Sequence, residues 1–372
     1  MGAGILTLRE LGRATLERQL LLRRVAKPAL ETVRHLVGMQ AQVPSNPYVG
    51  LWSRLDGFRP EEVSQLVVDR KVVRIVVMRG TLHLVTAEDC LVLRPLAQPV
   101  LEGEMARHRD FAPSLRTVDL DAVMAFARPL LTERPHSGPQ LRAAMAERFP
   151  DEDAAALAFA CRNRLALVQI PPRGVWRRSA QVVYTTAEAW LGAPVAADPS
   201  PDDVVMRYFA AFGPASVADV GTWSRWTGLR EVVERLRPRL RTFRDERGRE
   251  LFDVPDGPRP GPDVPAPVRF LPEYDNVLLS HGDRSRFVSE EYGRRLQAAG
   301  GPVKGTVLVD GLVGGTWSID VDKAAGRATL VVRHISPLPA EMAADLADEA
   351  DRLVRFVEPD ASDHDVRLVA VD

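Results

Sequence analysis

The sequence predicts an α+β fold: three tandem winged helix-turn-helix units, followed by a small C-terminal antiparallel β-sheet with a covering helix. Two observations lead to this prediction. Helical segments are followed by a short hairpin three times along the chain, which is the element order of a winged helix. A proline-rich linker, residues 257–267, then precedes further strands and one amphipathic helix. The predicted units are 1–110, 111–195 and 196–256, with a last domain at 257–372.

The first unit begins with a capping-box pattern. Thr7 is followed three residues later by Glu10, which predicts a helix that starts there and runs to about Arg24. A second helix is expected from Pro28, because proline favours the first helical position. Its apolar stripe is expected to continue to Gln40. The unit then has a segment at 48–55, a helix at 60–70, and strands at 72–76 and 81–85 around a tight turn at 78–80.

The later units repeat this order of elements without residue identity between them. In the last domain, the acidic charges on and after the helix are expected to face solvent, away from any nucleic acid. The second unit has helices at 119–131, 137–149 and 153–164 and a strand at 165–170, with a turn at 171–174. The third has helices at 202–212, 216–223 and 227–236 and two strands around 245–248. The last domain has strands at 305–310, 314–320 and 328–335 and a helix at about 340–356.

Composition indicates an ordinary globular protein. The chain has 372 residues, of which 45% are hydrophobic and 27% charged, and it carries no stretch typical of a membrane span or a signal peptide. We therefore expect a cytoplasmic protein. Cys90 and Cys161 lie far apart, which favours reduced, buried thiols over a disulfide or a zinc site. We expect neither a metal nor a cofactor.

The basic residues are unevenly distributed by type. Only four are lysine (Lys27, Lys71, Lys304 and Lys323), so 45 of the 49 are arginine, the side chain that makes two-point contacts to phosphate and to guanine. Biased codon usage is the alternative explanation. Winged helices usually bind DNA, although some are protein-interaction modules. Arginines at or beside the predicted wings favour DNA, while solvated charge at turns is the alternative for each: Arg79, Arg173, Arg177, Arg178 and Arg247.

Gln40-Ala41-Gln42 places two amides where a helix is expected to end. A buried amide without hydrogen bonds costs roughly 1–3 kcal/mol, so the pair needs partners. One interpretation is that the amides cap the helix and brace the loop. The other is that they hold a ligand and ordered water.

Four motifs in order resemble the AlkZ-like winged-helix DNA glycosylases, over about residues 6–356. They are Met39-Gln40-Ala41-Gln42, residues 78–85 (MRGTLHLV), residues 271–276 (LPEYDN) and residues 315–317 (GTW). The resemblance implies that Gln40 and Gln42 are catalytic amides. Other branches of the family have Gln-x-Asp, so the lack of an acid here argues against a general base.

The implied reaction suits two neutral amides. A purine alkylated at N7 or N3 is cationic and already a good leaving group, so hydrolysis of its glycosidic bond needs no strong acid. Amide oxygens can stabilise an oxocarbenium-like transition state and position water. The scarcity of lysine favours a monofunctional enzyme, because a lyase step needs an amine for the covalent imine. A monomer on double-stranded DNA is expected, and an open channel between the units would admit bulky or cross-linked adducts.

Further DNA contacts are proposed from position, each with a structural alternative. Leu312-Val313 forms an apolar wedge or an ordinary hairpin loop. His83 contacts phosphate or the catalytic water, or is a strand histidine with internal partners. A polar run lines the channel or braces the linker: Asp275, Asn276, His281, Asp283, Arg284 and Arg286.

The main alternative function is a non-enzymatic winged-helix transcriptional regulator. Such a protein is expected to be a dimer with an effector pocket, and the sequence shows neither a dimerisation heptad nor a separate ligand domain. A protein-interaction scaffold would lack salt-dependent affinity for DNA. General repair and self-resistance to a genotoxic metabolite both remain open.

Overall fold

The computed structural model describes residues 4–290, 292–294, 304–334 and 340–370. It has mixed α+β architecture, and the predicted order of helices and hairpins is present. The described helices are α1 Leu8–Arg18, α2 Ala29–His35, α3 Asn46–Trp52, α4 Pro60–Val68, α5 Ala87–Leu96, α6 Gln98–Arg107, α7 Ala112–Leu115, α8 Leu120–Glu133, α9 Gly138–Arg148, α10 Ala154–Arg164, α11 Ala187–Leu191, α12 Asp202–Phe212, α13 Val217–Ser224, α14 Leu229–Leu236 and the last helix, Ala340–Val357.

The strands of the described residues form three sheets. Helices α5, α6, α7 and α11 were not predicted, nor were the strands at 5–6, 39–40, 136–137, 269–271 and 363–370. The strands are β1 Ile5–Leu6, β2 Met39–Gln40, β3 Val72–Val76, β4 Leu82–Thr86, β5 His136–Ser137, β6 Leu167–Gln169, β7 Val183–Thr186, β8 Arg241–Asp245, β9 Glu250–Asp253, β10 Arg269–Leu271, β11 Gly305–Val309, β12 Leu312–Asp322, β13 Arg327–His334 and β14 Asp363–Ala370.

The start of α1 is confirmed, and its end is not. The Thr7 hydroxyl accepts from the Glu10 backbone, while the Glu10 carboxylate accepts from the Thr7 backbone, as a capping box requires. The helix ends at Arg18, so the prediction of an end at Arg24 is wrong. Leu20 has a φ of 58°, and this left-handed residue stops the helix.

Helix α2 also ends earlier than predicted. The Val37 and Gly38 amides donate to the carbonyls of Arg34 and Val33, at 3.1 and 2.9 Å, which is the Schellman arrangement. Val37 and Gly38 have φ values of 54° and 90°. The prediction that Gln40 continues the helix is therefore wrong, because the chain enters strand β2 instead.

The first two hairpins share one six-stranded sheet with the order β2-β4-β3-β6-β7-β5. Strand β3 of the first hairpin pairs with β6 of the second, with Arg74 opposite Gln169 and Ile75 opposite Val168. The second hairpin is joined by residues 170–182, so the predicted turn at 171–174 is only part of a longer connection. The third hairpin, β8–β9, is confirmed, and β1 extends its sheet by parallel pairing with β8.

The last sheet has the order β10-β11-β12-β13-β14. It was predicted to be antiparallel, but β14 runs parallel to β13, so the sheet is mixed. The last helix packs Leu346, Leu353 and Val354 against this sheet. Residue 335, the end of one predicted strand, lies outside the described residues. Some of the acidic residues predicted to face solvent form ion pairs: Asp363 with Arg327, and Asp360 with Arg177.

Both cysteines are free and buried, as predicted. Burial raises the pKa of each thiol, Cys90 and Cys161, to about 12. Across the described ranges, no helix is long and apolar enough to cross a membrane.

Candidate functional site

Gln40 lies on β2, directly opposite His83 on β4. The Ala41 amide donates to the Leu82 carbonyl at 2.8 Å, so the ladder continues past the strand. Met39 and Ala41 belong to one apolar core. Because side chains alternate along a strand, Gln40 faces away from the side on which Met39 packs. Gln40 is buried and Gln42 is exposed.

Arg79 fixes the orientation of the Gln40 amide. Its Nη2 donates to Gln40 Oε1 at 2.8 Å and to Asn276 Oδ1 at 2.7 Å, and its Nη1 donates to the Trp223 carbonyl at 2.9 Å. A guanidinium can only donate hydrogen bonds, so it must face the oxygens of both amides. Burial, and then the charge of Arg225, lowers the pKa of Arg79 to about 10, so the group stays charged at neutral pH.

His83 is a neutral acceptor inside this network. Its Nδ1 lies 3.0 Å from the Thr81 carbonyl and its Nε2 lies 3.3 Å from Arg79 Nη2. The carbonyl accepts, so Nδ1 carries the proton. Arg79 Nη2 has only two hydrogens, so Nε2 shares one of them with an amide oxygen in this longer contact. Burial, followed by the Arg79 charge, lowers the pKa of His83 to about 3. The side chain has no exposed surface, so the prediction that His83 contacts DNA is wrong.

The segment around residues 275–276 lies next to Gln40, although it is more than 200 positions later in the sequence. Asn276 Nδ2 donates to the Gly38 carbonyl at 3.2 Å, two residues before Gln40. Asp275 forms a two-point ion pair with buried Arg54. Asp275 therefore holds the segment in place, while Asn276 belongs to the site.

The rest of the predicted polar run divides between buried and exposed positions. His281 is buried and hydrogen-bonds the Phe212 carbonyl at 3.0 Å. Arg286 is buried and donates to the Thr15 hydroxyl at 3.0 Å and the Pro214 carbonyl at 3.2 Å. The prediction of Arg286 as a DNA contact is therefore wrong: its guanidinium braces the protein interior.

Sequence reasoning missed Arg74. Its Nη2 donates to the Ala41 carbonyl, between the two glutamines, and its Nη1 donates to Gln169 Oε1, both at 2.7 Å. Burial, and then the charge of Arg173, lowers its pKa to about 10. A signal was present, because Arg74 stands in the middle of an otherwise apolar strand.

Three residues around this site have a strained backbone conformation. The three segments that meet there each contain a non-glycine residue in the left-handed region: Val37 at φ 54°, Arg79 at 57° and Tyr274 at 60°. A β-branched residue at such a φ is rare. Strain of this kind clusters at functional sites, where the surrounding contacts hold it.

A small cavity lies beside Gln40. Its volume is about 10 Å³, which is room for about one water molecule and far too little for a purine. Its lining includes Gln40, Asn46 and Asn276. Where the structure describes the chain, no group of three or more His, Cys, Asp or Glu residues is arranged to hold a metal.

The arginines predicted to contact DNA differ in their exposure and in whether their side chains have partners within the protein. Arg178 and Arg284 are exposed, and their side chains have no partner among the described residues. Arg247 pairs with Asp283 at 3.2 Å. Arg177 pairs with Asp360 at 2.6 Å, and partly buried Arg173 donates to the Ala180 carbonyl at 3.1 Å.

The two residues of the predicted wedge have different environments. Leu312 is 41% exposed. Val313 is 5% exposed and packs in a core with Leu16 and Phe287. Its amide also donates to the Phe287 carbonyl at 2.7 Å. The wedge prediction is therefore wrong for Val313, and only Leu312 is available at this tip.

Comparisons with known proteins agree on one family. The family model described as DNA glycosylase AlkZ-like matches residues 33–356. A relative from Streptomyces sahachiroi, named interstrand DNA cross-link repair glycosylase, is 27% identical over 334 residues, covering 82% of this chain and 85% of the relative. The solved structure of Streptomyces sahachiroi DNA glycosylase AlkZ matches with a TM-score of 0.76 at 22% identity, over 98% of this chain and 100% of that one. The resemblance inferred from the four motifs is thus confirmed: this chain belongs to the AlkZ-like DNA glycosylase family.

Proposed function

We propose that this protein is a monofunctional glycosylase that hydrolyses the N-glycosidic bond of N7- or N3-alkylated purines in double-stranded DNA, including bulky and interstrand cross-linked adducts. One observation carries the proposal: the Gln40 amide is held by Arg79 at 2.8 Å. Gln42, two residues further along the chain, is exposed. The relative named for interstrand cross-link repair supports the substrate class.

Neutral amides match the chemistry of this substrate. The cationic base leaves without protonation, so the enzyme needs to orient water and accommodate a cationic sugar. Each preorganised polar contact to the developing charge is worth about 10²–10³ in rate. Gln40 and Gln42 together offer two acceptors and four donors. In the proposed mechanism they hold one water against the sugar as the glycosidic bond breaks.

The small cavity supports an open site. A space of about 10 Å³ is too small for a purine, which supports a mechanism in which the modified base is not taken into the protein core. We propose that the three helix–hairpin units, 1–110, 111–195 and 196–256, are winged helices that form an open channel with the last domain. A linked or bulky adduct would then need no closed pocket.

The positions of the lysines support a hydrolytic route. None of the four lysines is among the residues that line the cavity beside Gln40. A lyase step would require an amine close to the reacting sugar. We propose that the protein is a monomer and that Arg178, Arg284, Arg247 and Leu312 contact the duplex.

The test is release of modified base. Purified protein is incubated with a duplex carrying N7-alkylguanine, and free base and alkali-labile abasic sites are measured, with Gln40→Ala and Gln42→Ala as matched variants. The expected result is release by the wild type, and loss of release with nearly normal DNA binding in both variants. Full activity in both variants would overturn the assignment of the site. Tight salt-dependent binding without release would favour the alternative, a DNA-binding regulator.

A further inference from the structure

We infer that Arg79 and Asn276 are positioning residues for Gln40, acting through its amide and not through direct contact with DNA. The inference rests on the proposed function. It changes the role expected for Arg79 from its position in a predicted wing, which was a contact to phosphate.

The hydrogen bonds form a closed ring. Arg79 Nη2 donates to Gln40 Oε1 and Asn276 Oδ1, and Asn276 Nδ2 donates to the Gly38 carbonyl. Gly38 and Gln40 are two residues apart in the same segment, so the backbone completes the ring. Each amide is fixed at its oxygen by a group that only donates. Gln40 therefore cannot turn its amide over without losing the Arg79 contact.

The charges support a positioning role. Arg79 makes no ion pair with a carboxylate among the described residues, and its hydrogen-bond partners are all neutral. Two other buried arginines bind carboxylates, Arg18 with Asp253 and Arg54 with Asp275. Buried Arg74 and Arg286 resemble Arg79, because they too donate only to neutral groups. A carboxylate beside Arg79 would compete with Gln40 for the same N–H groups, because charge-assisted bonds are stronger.

The backbone between the glutamines is held separately. Arg74 Nη2 donates to the Ala41 carbonyl at 2.7 Å, while Arg79 holds the side chain of the preceding residue. The Gln40 side-chain oxygen accepts a hydrogen bond from Arg79. Its NH₂ group is free, because Nε2 has no hydrogen-bond partner among the described residues. Gln40 thus presents donors, and exposed Gln42 supplies the freer acceptor for the reacting water.

The experiment separates orientation from DNA affinity. Arg79→Ala, Arg79→Lys and Asn276→Ala are compared with Arg225→Ala, which removes a neighbouring exposed charge and leaves the contact to Gln40 intact. We measure the single-turnover rate of base release at saturating protein, and the Kd of lesion-containing duplex as a function of salt. Misplacing a catalytic group by about 1 Å costs on the order of 100-fold.

Arg79→Ala and Asn276→Ala are expected to lower the rate by about 10- to 100-fold with little change in Kd. Millimolar guanidinium should restore part of the rate of Arg79→Ala. Arg79→Lys should stay slow, because one ammonium cannot match the planar fork of a guanidinium. Arg225→Ala should release base at the wild-type rate. A loss confined to Kd and the salt slope would instead make Arg79 a DNA contact and overturn the inference.

A second measurement needs no activity. The side-chain amide of Gln40 is followed by ¹⁵N relaxation in the DNA-free protein, and its order parameter should fall in Arg79→Ala and Asn276→Ala but not in Arg225→Ala. An unchanged order parameter would overturn the inference even if Arg79→Ala were inactive. If the order parameter falls in Arg79→Ala and Asn276→Ala as expected but the wild type releases no base, the result would count against the proposed function and not against this inference.

Discussion

Arg54 and Asp275 form a two-point ion pair inside the protein, with both nitrogen–oxygen distances at 2.9 Å. The two side chains are 1% and 3% exposed. Arg54 follows α3, and Asp275 precedes Asn276. The pair therefore connects two segments that are distant in the sequence, and it does so next to the candidate site.

Asp275→Ala should destabilise the protein by about 3–5 kcal/mol, because it leaves the Arg54 charge buried without a partner. Asp363→Ala is the matched control, since the Asp363–Arg327 pair is half exposed on both sides and should contribute less than about 1 kcal/mol. Urea unfolding measures both. If both variants lose the same small free energy of unfolding, the prediction is contradicted, and solvent must reach the Arg54 guanidinium.

Stability should fall in acid because of two buried histidines. Burial is the main cause that lowers the pKa of His83 and of His281 to about 3, against about 6.5 in the unfolded chain. Between these values the unfolded chain binds the protons and the folded chain does not, so the free energy of unfolding decreases as pH falls from about 6.5 towards 3. Urea titrations at pH 7.5, 6 and 5 measure this, and His281→Asn should show a weaker dependence. Equal stability at all three pH values would contradict the prediction.

Arg178→Gln and Arg284→Gln should each weaken DNA binding and lower the salt slope by about 1, the value for one lost phosphate contact. Both residues are exposed and lack side-chain partners in the described part of the chain. Arg355→Gln is the control, because Arg355 lies on the last helix and pairs with Asp351 at 2.8 Å. Binding isotherms from 50 to 200 mM salt measure the slopes. Slopes that match the control would remove these arginines from the interface.

Leu312→Ala and Val313→Ala should have separate effects. Val313 is buried, so its truncation should lower the free energy of unfolding by about 2 kcal/mol. Leu312 is 41% exposed, and its truncation should leave stability within about 0.5 kcal/mol while slowing base release. Thermal unfolding and the release assay distinguish them. A wild-type rate of base release in Leu312→Ala would contradict a wedge role for Leu312 and would mean that the tip is an ordinary hairpin loop.

The elements that the sequence predicted well are those decided by neighbouring residues. The Thr7–Glu10 capping box and the third hairpin depend on contacts within a few positions. The end of α2 was missed because a Schellman arrangement usually has glycine at the first left-handed position, and here that position is Val37. The parallel strand β14 was missed because the residues of β13 that pair with it lie 36 positions earlier in the chain.

The candidate site shows the same division. Gln40 and Gln42 were identified through the motif, but their contacts were not. The side-chain oxygens of Asn276 and Gln40 both accept hydrogen bonds from Arg79. These two residues are 236 positions apart in the sequence. His83 and Arg286 were assigned to DNA because polarity alone cannot distinguish a buried side chain with internal partners from an exposed one.

The six-stranded sheet joins the first two hairpins into one continuous sheet. Strand β3 pairs with β6, so the relative orientation of the two hairpins is set when the chain folds. The entropy of aligning them is lost before DNA arrives, which leaves more of the contact energy for binding. A duplex that reaches both hairpins must therefore adapt its own curvature to theirs, and DNA that bends easily at the damaged step should be favoured over stiff DNA.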